Sequence, residues 1–307
     1  MTSPTQEERY YRTMKIAIAT DTNSGITAME GEKLGVFVLA MPVNLEETIH
    51  YEGIDITSEQ MYDAMRQHRD VSTSQPSPGQ LMELWDGILA KGYDEIVYIP
   101  MSSGLSGSCQ SAALFAQDYD GRVQVVDNHR ISVTQKESVI SALRLVEQGY
   151  DAGQIRDFLE KHAYDASIYI TVDSMEYLKK GGRVTPAAAT LATVLNLKPV
   201  LTIQGDKLDA FAKVRGMKLA ESNMIEAIHQ DRVERFKDVP ESRLLIETAG
   251  TLENGELAEH WRQQVQAEFP FAKVSYANLP CSIACHLGMN SVAAVIMTEE
   301  VQRAENA

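Results

Sequence analysis

DEIVYIPMSSGLSGSCQSAALF, residues Asp94 to Phe115, holds the chain's architecture in miniature. Ile96–Ile99 is an uninterrupted apolar run with β-branched and aromatic members, which reads as a strand buried on both faces. Pro100 ends it, and four serines and two glycines follow before an alanine-rich segment with helical character. Strand, small-residue loop, helix is the unit of a parallel α/β sheet.

The same order recurs on both sides. KIAIATDTNSGI (15–26) reads as a strand breaking into a turn at Asp21, and GVFVLAMPVNL (35–45) as one further strand. SEQMYDAMRQH (58–68) reads as a helix with Ser58 in the capping position. VSTSQPSPGQLMELWDGILAKGY (71–93) is a polar loop followed by an amphipathic helix. RVQVVDN (122–128) is a strand and QKESVISALRLVEQGY (135–150) a helix. Beyond that the pattern changes. A buried strand, SIYITVDS (167–174), leads into interrupted helical pieces. KPVLTIQGDKLDAFAKVRG (198–216) then reads as a hairpin about a Gly-Asp turn. The expected fold is α/β in two domains. An N-terminal domain, 14–164, has a largely parallel sheet flanked by helices; a C-terminal α/β domain, 165–307, is mixed α+β; residues 1–13 form a flexible leader.

Composition narrows the function. The chain has 307 residues, 44% hydrophobic and 23% charged, enough apolar material for sizeable cores. A net charge of −15 argues against nucleic acid and anionic membrane surfaces, which need a basic face. Three cysteines cannot build a disulfide framework. No apolar run approaches the length of a spanning helix, so a cytoplasmic location is expected.

Two serine-rich loops carry the chemistry: STSQPSPG (72–79) and SSGLSGS (102–108). Each precedes a helix, whose first-turn N–H groups are free to donate, and in an open α/β sheet ligands gather beyond the strands' carboxyl ends. Serine and threonine as ordinary helix caps is the competing reading of either loop alone. Neither loop contains Lys or Arg, and no GxxxxGK[ST] occurs, so neutral donors favour a singly charged carboxylate over a phosphate. A third stretch, LPCSIACHLGMNSVAAV (279–295), carries His286 among apolar residues, where a structural histidine competes with a ligand-binding one. Zinc at Cys281, Cys285 and His286 is disfavoured, because adjacent Cys and His share a tetrahedral centre poorly and a fourth ligand is missing. A Cys–His nucleophile lacks a supporting motif.

Taken together, ATDTNSGI, TSQPSPGQ (73–80), SSGLSGSCQSA (102–112), SMEYLKKGGRV (174–184), NLKPVL, VRG (214–216) and SIACHLGMNSVAAV resemble the DegV family of fatty-acid-binding proteins, in the family's order, from about Lys15 to Met297. The resemblance implies a two-domain fold holding a long-chain fatty acid in a buried tunnel, with no other cofactor and no metal. It implies that Thr73, Ser74, Ser103, Ser106, the Gly107 N–H and His286 hold the carboxylate. Arg183 and Arg215 would lie near the mouth, facing a partner fatty-acid kinase, which phosphorylates the presented acid. AAATLATVLNL and KPVLTI would line the tunnel. The chain departs from the family pattern at Met289-Asn290, which replaces Gly-Pro, and at Met217 and Leu219, which replace basic residues. The alternative is an enzyme acting on a small phosphorylated or carboxylated metabolite. It would need a carboxylate cluster or an activated nucleophile near the loops; Asp21 and Asp127 stand at strand ends but read better as turn and cap residues.

Overall fold

The computed structural model describes residues 14–190, 197–205 and 207–302. In chain order its strands are β1 (Ile16–Asp21), β2 (Val36–Leu39), β3 (Pro42–Leu45), β4 (Thr48–Tyr51), β5 (Val71–Thr73), β6 (Glu95–Ile99) and β7 (Val123–Val125). They continue with β8 (Ala166–Thr171), β9 (Leu197–Ile203), β10 (Asp209–Arg215), β11 (Leu244–Gly250), β12 (Tyr276–Asn278) and β13 (Val292–Thr298).

Three sheets result. β2-β1-β6-β7 is parallel throughout. Its central strands are buried on both sides: Ile18, Val97, Ile99, Val139 and Ile155 form one core layer, and Ala17, Ala19, Trp85, Ile96 and Tyr98 the other. This is why β1 and β6 read as continuous apolar runs rather than alternating ones. The second sheet, β10-β9-β8-β13-β11-β12, is antiparallel except for its last pair, β11 and β12. The expected hairpin is β9–β10, with a register shift between Ala210 and Ala212.

The third sheet, β4-β3-β5, corrects two expectations. Residues 35–45 are two strands in two different sheets, because the chain turns at Ala40–Met41 and Pro42 starts the second. The loop beginning at Ser72 therefore does not leave the parallel sheet. It leaves β5, which pairs antiparallel with β3. The helix Ser58–Arg66 is also capped one residue earlier than expected: Thr57 and Gln60 form a reciprocal capping box.

Small-sheet residues Val43 and Val71 pack with Met61 and Met65 against Cys281, Ala284 and Cys285 of the late helix Cys281–Leu287. The segment after β13 returns to the first half of the chain. Glu300 forms a buried ion pair with Arg130, Glu299 pairs with Arg144, and Val301 joins the core beneath β1 and β6. Such ties hold the two large sheets in register around the space between them.

Candidate functional site

The floor of that space is one face of the second sheet. Ile168 lies beside Ile203 on one side and Val295 on the other, and Ile170 beside Ala293, which lies next to Ala249. The five residues Ile168, Ile170, Ile203, Ala293 and Val295 line a single narrow cavity of about 90 Å³. Leu178, Leu208, Ile283 and Leu287 close it from above, and Ile131, Val133 and Leu105 from the first half of the chain. All belong to the core cluster that also holds Leu201, Met175 and Met297.

The rim differs in chemistry. Thr73, Ser74, Gln75, Ser106, Arg183 and His286 all line the same cavity. Ser74 and Gln75 are exposed, so the mouth opens there. The two serine loops face one another: Gln75 accepts a hydrogen bond from Ser111 Oγ at 3.2 Å, and a Cβ on Gly107 would lie 3.5 Å from Gln75 Oε1. Asp21 braces the second loop from below. Its buried carboxylate accepts the N–H groups of Asn23 and Met101 and the side-chain amide of Gln135. Burial raises its pKa, which those three donors resist. Asp127 does the same from the side, accepting the Ser103 N–H at 3.2 Å. Both aspartates thus act as loop braces.

His286 sits on the last turn of Cys281–Leu287, and its Nε2 and Thr73 Oγ1 share a hydrogen bond at 2.8 Å. Burial, and next the nearby Arg183 charge, lower the His286 pKa to about 4, so the ring is neutral at physiological pH. Gly181 explains part of the KKGGR motif. A Cβ there would lie 2.5 Å from His286 Nδ1, so a side chain would displace the ring. Arg183 donates to the carbonyls of Leu105 and Gly181, which points it across the mouth. Among the described residues no carboxylate lies within ion-pair distance of it.

The expected site residues do not all meet. Thr73, Ser74, Ser106, His286 and Arg183 share the cavity. Ser103 is held by Asp127 just outside it, and Gly107 is the exposed N-cap of the helix Ser108–Phe115. Arg215 ends β10, exposed, and is not among the lining residues. Of the expected tunnel runs, Ile203 lines the cavity, while 191–196 lie outside the described residues. Sequence reasoning missed Asn23, Gln75, Ser132 and Ser282, four polar lining residues. Asn23, Gln75 and Ser282 lay inside quoted motifs, but nothing in their spacing tells a lining residue from a neighbour.

The thiols are quiet. Cys109, Cys281 and Cys285 are all buried and free. Burial pushes Cys109 and Cys281 up to about 12, and Cys285 higher still. No group of three metal-ligating side chains occurs among the described residues.

The site is thus an apolar cavity with a polar rim, and Arg183 is the one cation among its lining residues. The sequence matches the profile of the DegV family, described as an uncharacterised protein family, over residues 15–299. The chain belongs to the DegV family. A DegV domain-containing protein of Deinococcus radiodurans is 34% identical over 218 residues, covering 71% of this chain and 77% of its own. Among solved structures, a DegV family protein of Thermus thermophilus described by its fatty-acid binding superposes with a TM-score of 0.82 at 30% identity, covering 93% of this chain and 100% of its own. DegV of Bacillus subtilis, a fatty acid binding protein, superposes at 0.80 with 26% identity, covering 93% and 99%.

Proposed function

We propose that this protein binds a long-chain fatty acid, tail on the sheet face and carboxylate at the mouth, and presents that carboxylate to a separate fatty-acid kinase. The observation that carries the reading is the division of one cavity into an apolar floor and a rim holding Thr73, Ser106, His286 and Arg183. Each buried methylene contributes about 0.8 kcal/mol, so the tail supplies most of the affinity. The rim spares the carboxylate an unpaired burial, which costs several kcal/mol. Neutral His286 serves as a donor once its proton sits on the nitrogen facing the ligand, and Arg183 supplies the opposite charge. We further read Ser103 and Gly107 as neighbours that shape the loop around the carboxylate, and Arg215 as part of the surface that meets the kinase.

Carriage rather than catalysis fits the thiols, which stay protonated and un-nucleophilic at neutral pH. It also fits the two aspartates, each already engaged by loop N–H groups. A reducing cytoplasm fits three free buried cysteines.

The test is mass spectrometry of an organic extract of the purified protein, followed by calorimetric titration of the delipidated protein with saturated acids of increasing length. Near-stoichiometric fatty acid is expected, with affinity rising about fourfold per methylene until the cavity is full. An empty extract with no heat of binding would refute the reading. Acyl phosphate should appear from ATP only after a kinase is added; turnover by the protein alone would refute the carrier role.

A further inference from the structure

The polar rim does not account for every polar group on the cavity wall. Asn23 lines the cavity at 1% exposure, beside apolar Met41, Met101, Ile131 and Val133. Neither its Oδ1 nor its Nδ2 makes a hydrogen bond of ordinary geometry, although the amide lies close enough to the Asp21 carboxylate to steady its charge. A buried amide oxygen without a donor is a cost that native proteins rarely carry unless something else completes it.

Its surroundings are built rather than incidental. The Asn23 carbonyl accepts the Ser132 N–H at 2.9 Å, and Ser132 also lines the cavity, only 7% exposed, with φ at +57°. Left-handed backbone at a non-glycine residue is held only where the surroundings enforce it. Neighbouring Thr22 donates to the Glu52 carboxylate, which also accepts from Ser282 Oγ and from the Cys281 N–H. That links Asn23 to the first turn of the helix whose last turn carries His286. Ser282 and His286 both face the cavity, four residues apart, or about 6 Å along the axis. Thr22, Glu52 and Ser282 thus tie the Asn23 turn to the helix that carries His286 at the rim.

We propose that Asn23 and Ser132 form a second polar station that binds a hydroxyl group carried near the head of the acyl chain, making hydroxylated fatty acids the preferred ligand class. The inference rests on the fatty-acid reading of the cavity. A hydroxyl suits the station because it donates to Asn23 Oδ1 while accepting from the Ser132 hydroxyl, and a plain methylene does neither. A site that hydrogen-bonds a ligand hydroxyl discriminates against the analogue lacking it, since its own polar groups are then left unpaired.

The test titrates the delipidated full chain with tetradecanoate and with its 2-, 3- and 5-hydroxy derivatives. At least one hydroxy acid is expected to bind about tenfold tighter than tetradecanoate, as one satisfied buried hydrogen bond implies. Asn23→Leu should weaken binding of the preferred hydroxy acid about tenfold more than it weakens tetradecanoate. Ser132→Ala, which keeps the backbone bond to Asn23, should reduce the preference about threefold and serves if the leucine variant does not fold. Hydroxy acids binding no tighter than tetradecanoate would overturn the proposal and assign the station to a bound water. Asn23→Leu weakening all four acids equally would overturn it as well. Failure of all four acids to bind would instead sink the fatty-acid reading, and this proposal with it.

Discussion

The two ends of the cavity are made in opposite ways. Its floor comes from contiguous strands β9, β8, β13 and β11, where one register aligns Ile203, Ile168 and Val295 and the next aligns Ile170, Ala293 and Ala249. Its rim is assembled from distant segments: Thr73 from the end of β5, Ser106 from the loop after β6, Arg183 after a short helix, and His286 from the late helix Cys281–Leu287. A sheet face is rigid, so volume added on its cavity side is taken from the cavity. A rim of separate loops shares its task, so no single member is indispensable. The floor should therefore govern whether a ligand binds, and the rim how it lies.

Filling the floor tests this most severely. Ala293 is small, lines the cavity, and has Ile170 and Ala249 as cross-strand neighbours. Ala293→Trp would occupy the slot itself. Losing even five buried methylenes costs about 4 kcal/mol, so acid binding should fall about a thousandfold, with circular dichroism confirming that the sheet persists. A folded variant that still bound a long acid within tenfold of the parent would show that the tail lies elsewhere.

The rim histidine is next, read as stability against pH. A ring whose pKa falls from 6.5 unfolded to about 4 folded refuses a proton that the unfolded chain accepts. The stability it confers is complete above about pH 6.5 and disappears as pH falls toward 4. Over that window the loss is up to about 3 kcal/mol. Urea unfolding of the delipidated protein should show it, and His286→Gln should flatten that part of the profile. Parallel profiles for the two proteins would mean that the ring titrates freely and is not enclosed at the rim.

What was legible in the sequence follows the same division. β1, β6 and β8 were readable because strands buried on both faces leave unbroken apolar runs, and the β9–β10 hairpin because its turn is marked by Gly-Asp. The split of residues 35–45 was not, since apolar residues continue on both sides of Met41 and only pairing partners distinguish β2 from β3. Family likeness pointed to Thr73, Ser106 and His286 and placed Arg183 near the mouth, whereas the loops' own composition gave no sign of a rim charge. The serine loops lack a cation, and Arg183 arrives from a segment about 75 residues further on. Asn23 was hidden for another reason: in sequence it is one more polar residue in a turn, and only its burial without a partner distinguishes it.

The smallest effect belongs to a single rim hydroxyl. Ser106 Oγ accepts the Ser108 N–H at 3.2 Å, so it helps shape the loop as well as facing the cavity. Ser106→Ala removes one neutral donor from several, leaving Thr73, His286 and Arg183 in place. A typical net hydrogen bond is worth about 1 kcal/mol, so affinity should fall about fivefold. The loss should be the same for a ten-carbon and a sixteen-carbon acid, because the head group is common to both while only the floor senses length. A loss that grew with chain length would mean that Ser106 acts on the tail's path through the loop. Rim and floor would then be coupled, and the separation between them would fail at the place where it is easiest to measure.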